Sequence, residues 1–142
     1  MYNNRPNAYR EVAVQTSSPT KLVVMLYEGA IRFLRESVTA IASRDLDRKR
    51  HSIDRAVAVV QHLQSTLDMD RGLEVAANLS GLYSYITNRI LEGSAKLEAA
   101  PLEEAIKLLN TLLAGWEEIA KKEQPRQTLV AQQAASRFEL HA

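Results

Sequence analysis

The sequence predicts an all-α protein: an antiparallel up-down-up-down four-helix bundle with a flexible N-terminal arm and C-terminal tail. Three observations lead there. Only five glycines and four prolines stand among many Ala, Leu, Arg, Glu and Gln residues, a mixture that favours helix over strand. Apolar residues recur every three or four positions. Punctuation by Pro, Gly and Ser/Asp clusters cuts the chain into four pieces of about 22 residues, rods of ~33 Å, and links this short force antiparallel neighbours.

The first helix is expected over about residues 19–43, with Ser17 or Ser18 as its cap and Pro19 at its first position, where the missing N–H costs nothing. At about 100° per residue, Val23, Leu26, Tyr27, Ala30, Leu34, Val38 and Ile41 fall on one stripe. Val24 and Ile31 flank that stripe on one side, Leu22 and Phe33 on the other, and Met25 lies on the far face. Ser43, Asp45 and Asp47 supply a turn and the next cap, giving a second helix over about 46–68. Its core stripe is Ile53, Ala56, Val57, Val60, Leu63 and Leu67, with Val59 displaced toward His62.

The run DMDRG breaks the pattern, and the third helix spans about 72–98. It turns Val75, Leu79, Leu82, Tyr83, Ile86 and Ile90 inward and leaves Leu73, Tyr85 and Leu91 off the stripe. A fourth helix opens near Pro101 and runs to about Glu123, where Pro125 is expected to stop it. It buries Leu102, Ala105, Leu109, Leu112, Leu113 and Trp116, with Leu108 at the edge. The whole is read as one domain: arm 1–16, bundle 17–124 and tail 125–142.

Every helix carries more apolar perimeter than one core stripe needs. Burying one such side chain in a partner is worth ~1.5 to 3 kcal/mol, and a long groove between helices is what the surplus would build. Charge adds little: 18 basic and 17 acidic residues leave a net charge of +1, with no field for nucleic acid or anionic lipid. The chain has no cysteine, which removes disulfides, thiolate metal sites and cysteine nucleophiles and fits a reducing cytoplasm. No stretch approaches the ~20 apolar residues of a membrane span, and MYNNRPNAYREV has no apolar signal core, so the cytosol is the expected location.

Catalytic and metal patterns are missing. None of His51, His62 and His141 has a glutamate three residues before it, as a di-metal carboxylate bundle requires. The chain shows no phosphate-binding glycine loop and no serine in a known nucleophile motif. The expectation is no enzyme, no cofactor, no metal, no nucleic acid and no small-molecule substrate. The competing reading is a histidine phosphotransfer bundle built on the exposed His62, although LQSTL follows it where such domains usually carry a Lys-Gly pair.

Specific residues narrow the choice. Tyr9, Thr16 and Ser18-Pro19, LYEGAIRFL at 26–34, IDRA at 53–56, LDMDRGLEVAANLSGLYSYI at 67–86 and Trp116 resemble, in order, the flagellin-specific export chaperones of the FliS family. Leu73 departs from the pattern, standing after Gly72 where a second small residue is common. The resemblance implies a cytosolic helical bundle that binds the disordered C-terminal region of flagellin, prevents premature polymerisation and brings it to the cytosolic domain of the export-gate membrane protein, with no catalysis. The residues expected to hold the client are the off-stripe Val24, Ile31, Val59, His62, Asn78, Tyr85 and Leu108, with Leu82 serving core and groove. Arg55 matches the family motif and faces away from the core, and Tyr9 is assigned to the gate by resemblance alone. Without client, the exposed apolar surface would allow a weak homodimer.

Overall fold

A computed structural model describes the backbone of residues 18–140 and side chains through residue 123. It contains α1 (Pro19–Ala42), α2 (Leu46–Ser65), α3 (Met69–Lys96) and α4 (Ala99–Leu140), with no strand among the described residues. The fold is the all-α, antiparallel up-down-up-down four-helix bundle that the sequence predicts. Tyr9 and the arm around it lie outside the described residues.

Caps set the starts of the helices. Ser18 Oγ accepts from the Lys21 N–H at 3.4 Å, Asp45 from the Arg48 N–H at 3.2 Å, and Asp68 from the Arg71 N–H at 3.0 Å. Each such cap contributes about 1 kcal/mol. Pro125 does not end α4, which continues to Leu140. A proline's fixed φ is itself helical; its cost is the lost N–H and crowding of the preceding turn, and the Ala- and Gln-rich run that follows lets the helix resume.

The chain divides into two compact units, residues 25–113 and residues 1–24 with 114–142. In the second of these, Thr20 Oγ1 donates to Glu123 Oε2 at 2.6 Å, tying the start of α1 to α4. The 25–113 unit contains parts of all four helices around a core of Tyr27, Leu34, Val60, Leu63, Tyr83, Ile86, Ile90, Leu102 and Leu109. The Tyr27 and Tyr83 hydroxyls are hydrogen-bonded inside it, which lets two phenols be buried together. Burial, then that bond, drives the Tyr83 pKa well above the usual phenol range. Ser37 and Ser52 are buried as well: Ser37 Oγ donates to the Phe33 carbonyl at 2.9 Å and lies 2.7 Å from Ser52 Oγ. Alternation of apolar residues could not reveal that pair, because serine reads as surface.

Val75 is a second departure from the expected core. It is 68% exposed, and Ala76, one step round the helix, is the residue turned inward. The cause lies in the link to α2. Gln64 meets Ser80 and Lys49 meets Ser94, so α2 ends level with roughly residue 79 of α3. A straight α3 would start about 15 Å further along the axis, and the helix axes are themselves about 8–10 Å apart. Residues 66–68 cannot span both at about 3.5 Å each. The turn 69–72 therefore folds back, and α3 breaks at Leu73, with φ 45° and ψ −119°. Gly72 is required there, since a Cβ would stand 2.6 Å from that of Ala76.

Helices α1 and α3 each close on a left-handed residue. Arg44 has φ 59° and lies between two 43–45 hydrogen bonds, Arg44 N–H to Ile41 and Asp45 N–H to Ala40. Leu97 has φ 53°, and the Glu98 N–H reaches the Gly93 carbonyl at 3.0 Å. These are glycine-favoring ends occupied by other residues, and no glycine in the described chain has positive φ. Gly93 is needed for a different reason: a Cβ there would meet the Glu98 carbonyl at 2.9 Å and Leu102 Cγ at 3.0 Å, so its absence lets α3 and α4 meet closely.

Replacing Arg44, Leu73 or Leu97 with glycine should raise unfolding free energy by about 1 kcal/mol each, with the largest gain at Leu73. Gly72→Ala should lower it by a similar or larger amount. Urea denaturation of the four single variants checks the opposite signs.

Candidate interaction surface

Within the 25–113 unit the seam between α2 and α3 is closed by polar contacts. Lys49 Nζ donates to the Ser94 carbonyl and Oγ, both at 3.2 Å, and Gln64 Nε2 donates to the Ser80 carbonyl at 2.9 Å and to Ser84 Oγ at 2.9 Å. Between α1 and α4 lie two clefts, one of about 380 Å³ lined by Glu28, Ile31, Arg32, Arg35, Asn110 and Leu113, the other of about 410 Å³ lined by Arg35, Val38, Thr39, Glu103 and Ile106. Arg35 borders both. An apolar floor with charged rims is the lining expected of a seat for an amphipathic segment.

The α3/α4 seam is fixed at one end by charge. The Tyr85 hydroxyl donates to Glu104, and Arg89 bridges Glu92 at 2.6 Å and Glu104 at 3.3 Å. Lys96 closes the chain of charges on Glu92 at 3.1 Å. Asn78, Leu82, Tyr85, Arg89 and Glu92 follow one another at alternating spacings of four and three, which is one line along a helix. Leu108 lies one turn beyond Glu104 on α4, so the antiparallel pairing sets it beside Leu82 along the same seam. Tyr85 remains 46% exposed, Leu82 and Leu108 are half-buried and Asn78 is exposed. Among the described residues the Arg89 Nε–H and Thr87 Oγ1 are buried without a hydrogen-bond partner.

The α1/α2 seam is held by Glu36 and Arg48 at 3.2 Å and by the Arg55 guanidinium, 5.9 Å above the Phe33 ring. Arg55 Nε also donates to His51 Nε2 at 3.0 Å, so Arg55 is an organised part of this seam. Stepping from Arg55 by four and three gives Val59, half-buried, and His62, exposed. Opposite them on α1, Phe33, Gly29 and Met25 recur every four residues. Met25 is 46% exposed, and a Cβ added at Gly29 would meet nothing within 4 Å, so that glycine leaves a notch in the seam.

The sequence-derived residues thus sort into seams. Asn78, Leu82, Tyr85 and Leu108 come together on α3/α4, and Arg55, Val59 and His62 on α1/α2. Val24 is half-buried in the other unit and joins neither set. Ile31 is a correction: it is 5% exposed and belongs to the wall of a cleft, because α4 packs over the side of α1 where it was expected to stand free. Sequence reasoning missed Gly29, Arg35 and Ile106. Gly29 was legible as a helix-interior glycine, costly unless its missing side chain serves a purpose; the other two had no signal of their own.

Among the described residues no helix is long and apolar enough to cross a membrane, and no cluster of side chains could hold a metal ion. The sequence profile of a family described as flagellar protein FliS matches residues 1–123. The chain belongs to the FliS family. It is 34% identical over 124 residues to the flagellar secretion chaperone FliS of Campylobacter jejuni, covering 87% of this chain and 97% of that protein. To the flagellar secretion chaperone FliS of Salmonella typhimurium it is 32% identical over 113 residues, 79% of this chain and 84% of the relative. The Bacillus subtilis flagellar secretion chaperone FliS is 28% identical over 120 residues, 84% and 89% of the two chains. The FliS match ends at residue 123, so the last part of α4 lies beyond it.

Ionisation of the α3/α4 seam gives a test. The hydrogen bond to Glu104 raises the Tyr85 pKa, so its contribution to stability is present below the usual phenol pKa and is lost as pH rises through the raised value. Bonds from Lys96 and Arg89 lower the Glu92 pKa, so that contribution is present above the usual carboxylate pKa and is lost as pH falls through the lowered one. Glu104→Gln should return Tyr85 ionisation toward the ordinary phenol range. The difference in phenolate absorbance between each protein and its Tyr85→Phe derivative checks it.

Proposed function

We propose that this protein is a non-enzymatic export chaperone for flagellin, acting in the bacterial cytosol. It holds the disordered C-terminal region of flagellin, keeps it from polymerising early and delivers it to the cytosolic domain of the export-gate membrane protein. Membership of the FliS family carries the reading; the clefts between α1 and α4 and the half-buried apolar residues Val59, Leu82 and Leu108 along the neighbouring seams support it. A segment laid along the α1/α2 and α3/α4 seams would meet half-buried apolar side chains at helical spacing, the arrangement that receives an amphipathic helix. Ordering such a client costs a few kcal/mol, so affinity is spread over many modest contacts and release at the gate proceeds stepwise. Tyr9, in the arm, serves recognition at the gate, and in the absence of client the same seams support a weak homodimer.

Isothermal titration of the full chain with the C-terminal segment of flagellin is the test. Wild type should bind, and Gly29→Leu, Val59→Asp and Tyr85→Ala should each weaken binding at least about tenfold, with unfolding temperatures within a few degrees of wild type. Gly29→Leu is the cleanest variant, since the space above Gly29 is empty to 4 Å. Absence of binding by wild type would overturn the function, and wild-type affinity in all three variants would overturn the seams as its seat.

A further inference from the structure

The corner between α2 and α3 carries a residue that the fold does not explain. Leu73 holds φ 45° and ψ −119°, a region where glycine is relaxed and a branched side chain is strained. Its side chain gives no packing in return, being 70% exposed. Backbone and side chain therefore both argue for glycine, and leucine stands there. Around it, Val75 is 68% and Met69 49% exposed, so residues 69–75 present three large apolar side chains to water. Residues 68–75 are acidic: Asp68, Asp70 and Glu74 outnumber Arg71, Arg71 already faces Asp68 at 3.7 Å, and Asp70 and Glu74 form no ion pair among the described residues.

We propose that this corner is a second docking point, separate from the seams, for a cationic amphipathic segment of another protein. Leu73, with Met69 and Val75, supplies the apolar contact, and Asp70 and Glu74 select basic residues beside it. The strain at Leu73 also holds the apex at one angle, because the short link to α2 leaves α3 no straight alternative. Such a surface accepts a partner without reorganisation, and it leaves the α1/α2 and α3/α4 seams free for a client at the same time.

The test uses the full chain with labelled Met, Leu and Val methyl groups, titrated with a helical Leu/Lys peptide of about 18 residues and, separately, its Leu/Glu counterpart. The Leu/Lys peptide should shift the methyl signals of Met69, Leu73 and Val75, and the Leu/Glu peptide should not. Leu73→Gly should weaken the Leu/Lys peptide about tenfold while raising the unfolding temperature, so loss of fold cannot account for the loss of binding. Asp70→Asn with Glu74→Gln should weaken it about threefold and flatten its salt dependence. Binding of the flagellin C-terminal segment should be unchanged by Leu73→Gly, so this inference fails or stands apart from the client reading. No binding of the Leu/Lys peptide, equal binding of both peptides, shifts confined to Leu82 and Leu108, or full affinity in Leu73→Gly would each overturn the proposal. Broadening of the same methyls with protein concentration alone would overturn it in favour of a second copy of this chain.

Discussion

Short connections govern this structure. The links at residues 43–45, 66–68 and 97–98 leave each helix of the 25–113 unit only an antiparallel place beside its predecessor. From that follow the residue pairs across each seam, Glu36 with Arg48, Lys49 with Ser94 and Tyr85 with Glu104. The same restriction breaks α3 at Leu73, because the link cannot reach the start of a straight helix. The positions of the exposed apolar residues are thus a consequence of chain length as much as of hydrophobic pattern.

The seams differ in what fastens them. Hydrogen bonds from Lys49 and Gln64 to main-chain and side-chain oxygens fasten α2 to α3 near both ends of α2. Among the described residues the polar contacts along α1/α2 run from Arg48 to Arg55, and those along α3/α4 gather around Tyr85 and Arg89. Beyond those anchors come Gly29, Val59, Leu82 and Leu108, too apolar for a fully solvated face and too open for a core. These anchors keep the spacing of the helices fixed, a form of preorganisation that would lower the cost of ordering the proposed client.

Helix number, order and every limit but the end of α4 were approximately legible in the sequence because amphipathic spacing and capping residues are local signals. Core residues such as Tyr27, Leu34, Ile86 and Leu109 were legible for the same reason. What was not legible depends on neighbours distant in the chain. The cover of α4 over Ile31, the break at Leu73 that exposes Val75 and the buried Ser37–Ser52 pair are settled by packing and by reach, to which a helical wheel is blind. Pro125 is a different case: proline is a helix breaker, yet α4 passes through it to Leu140. The departure at Leu73 was visible as an odd residue beside Gly72, but its meaning needed the dihedral angle.

The bond between Thr20 and Glu123 closes a loop of 103 residues. The α2/α3 hairpin, by contrast, is local, and its contacts need only the middle of the chain. During synthesis the hairpin can assemble before Glu123 has been added, whereas the contact with Thr20 has to wait for it. That order gives the newborn chaperone a folded α2/α3 centre before Thr20 and Glu123 are joined.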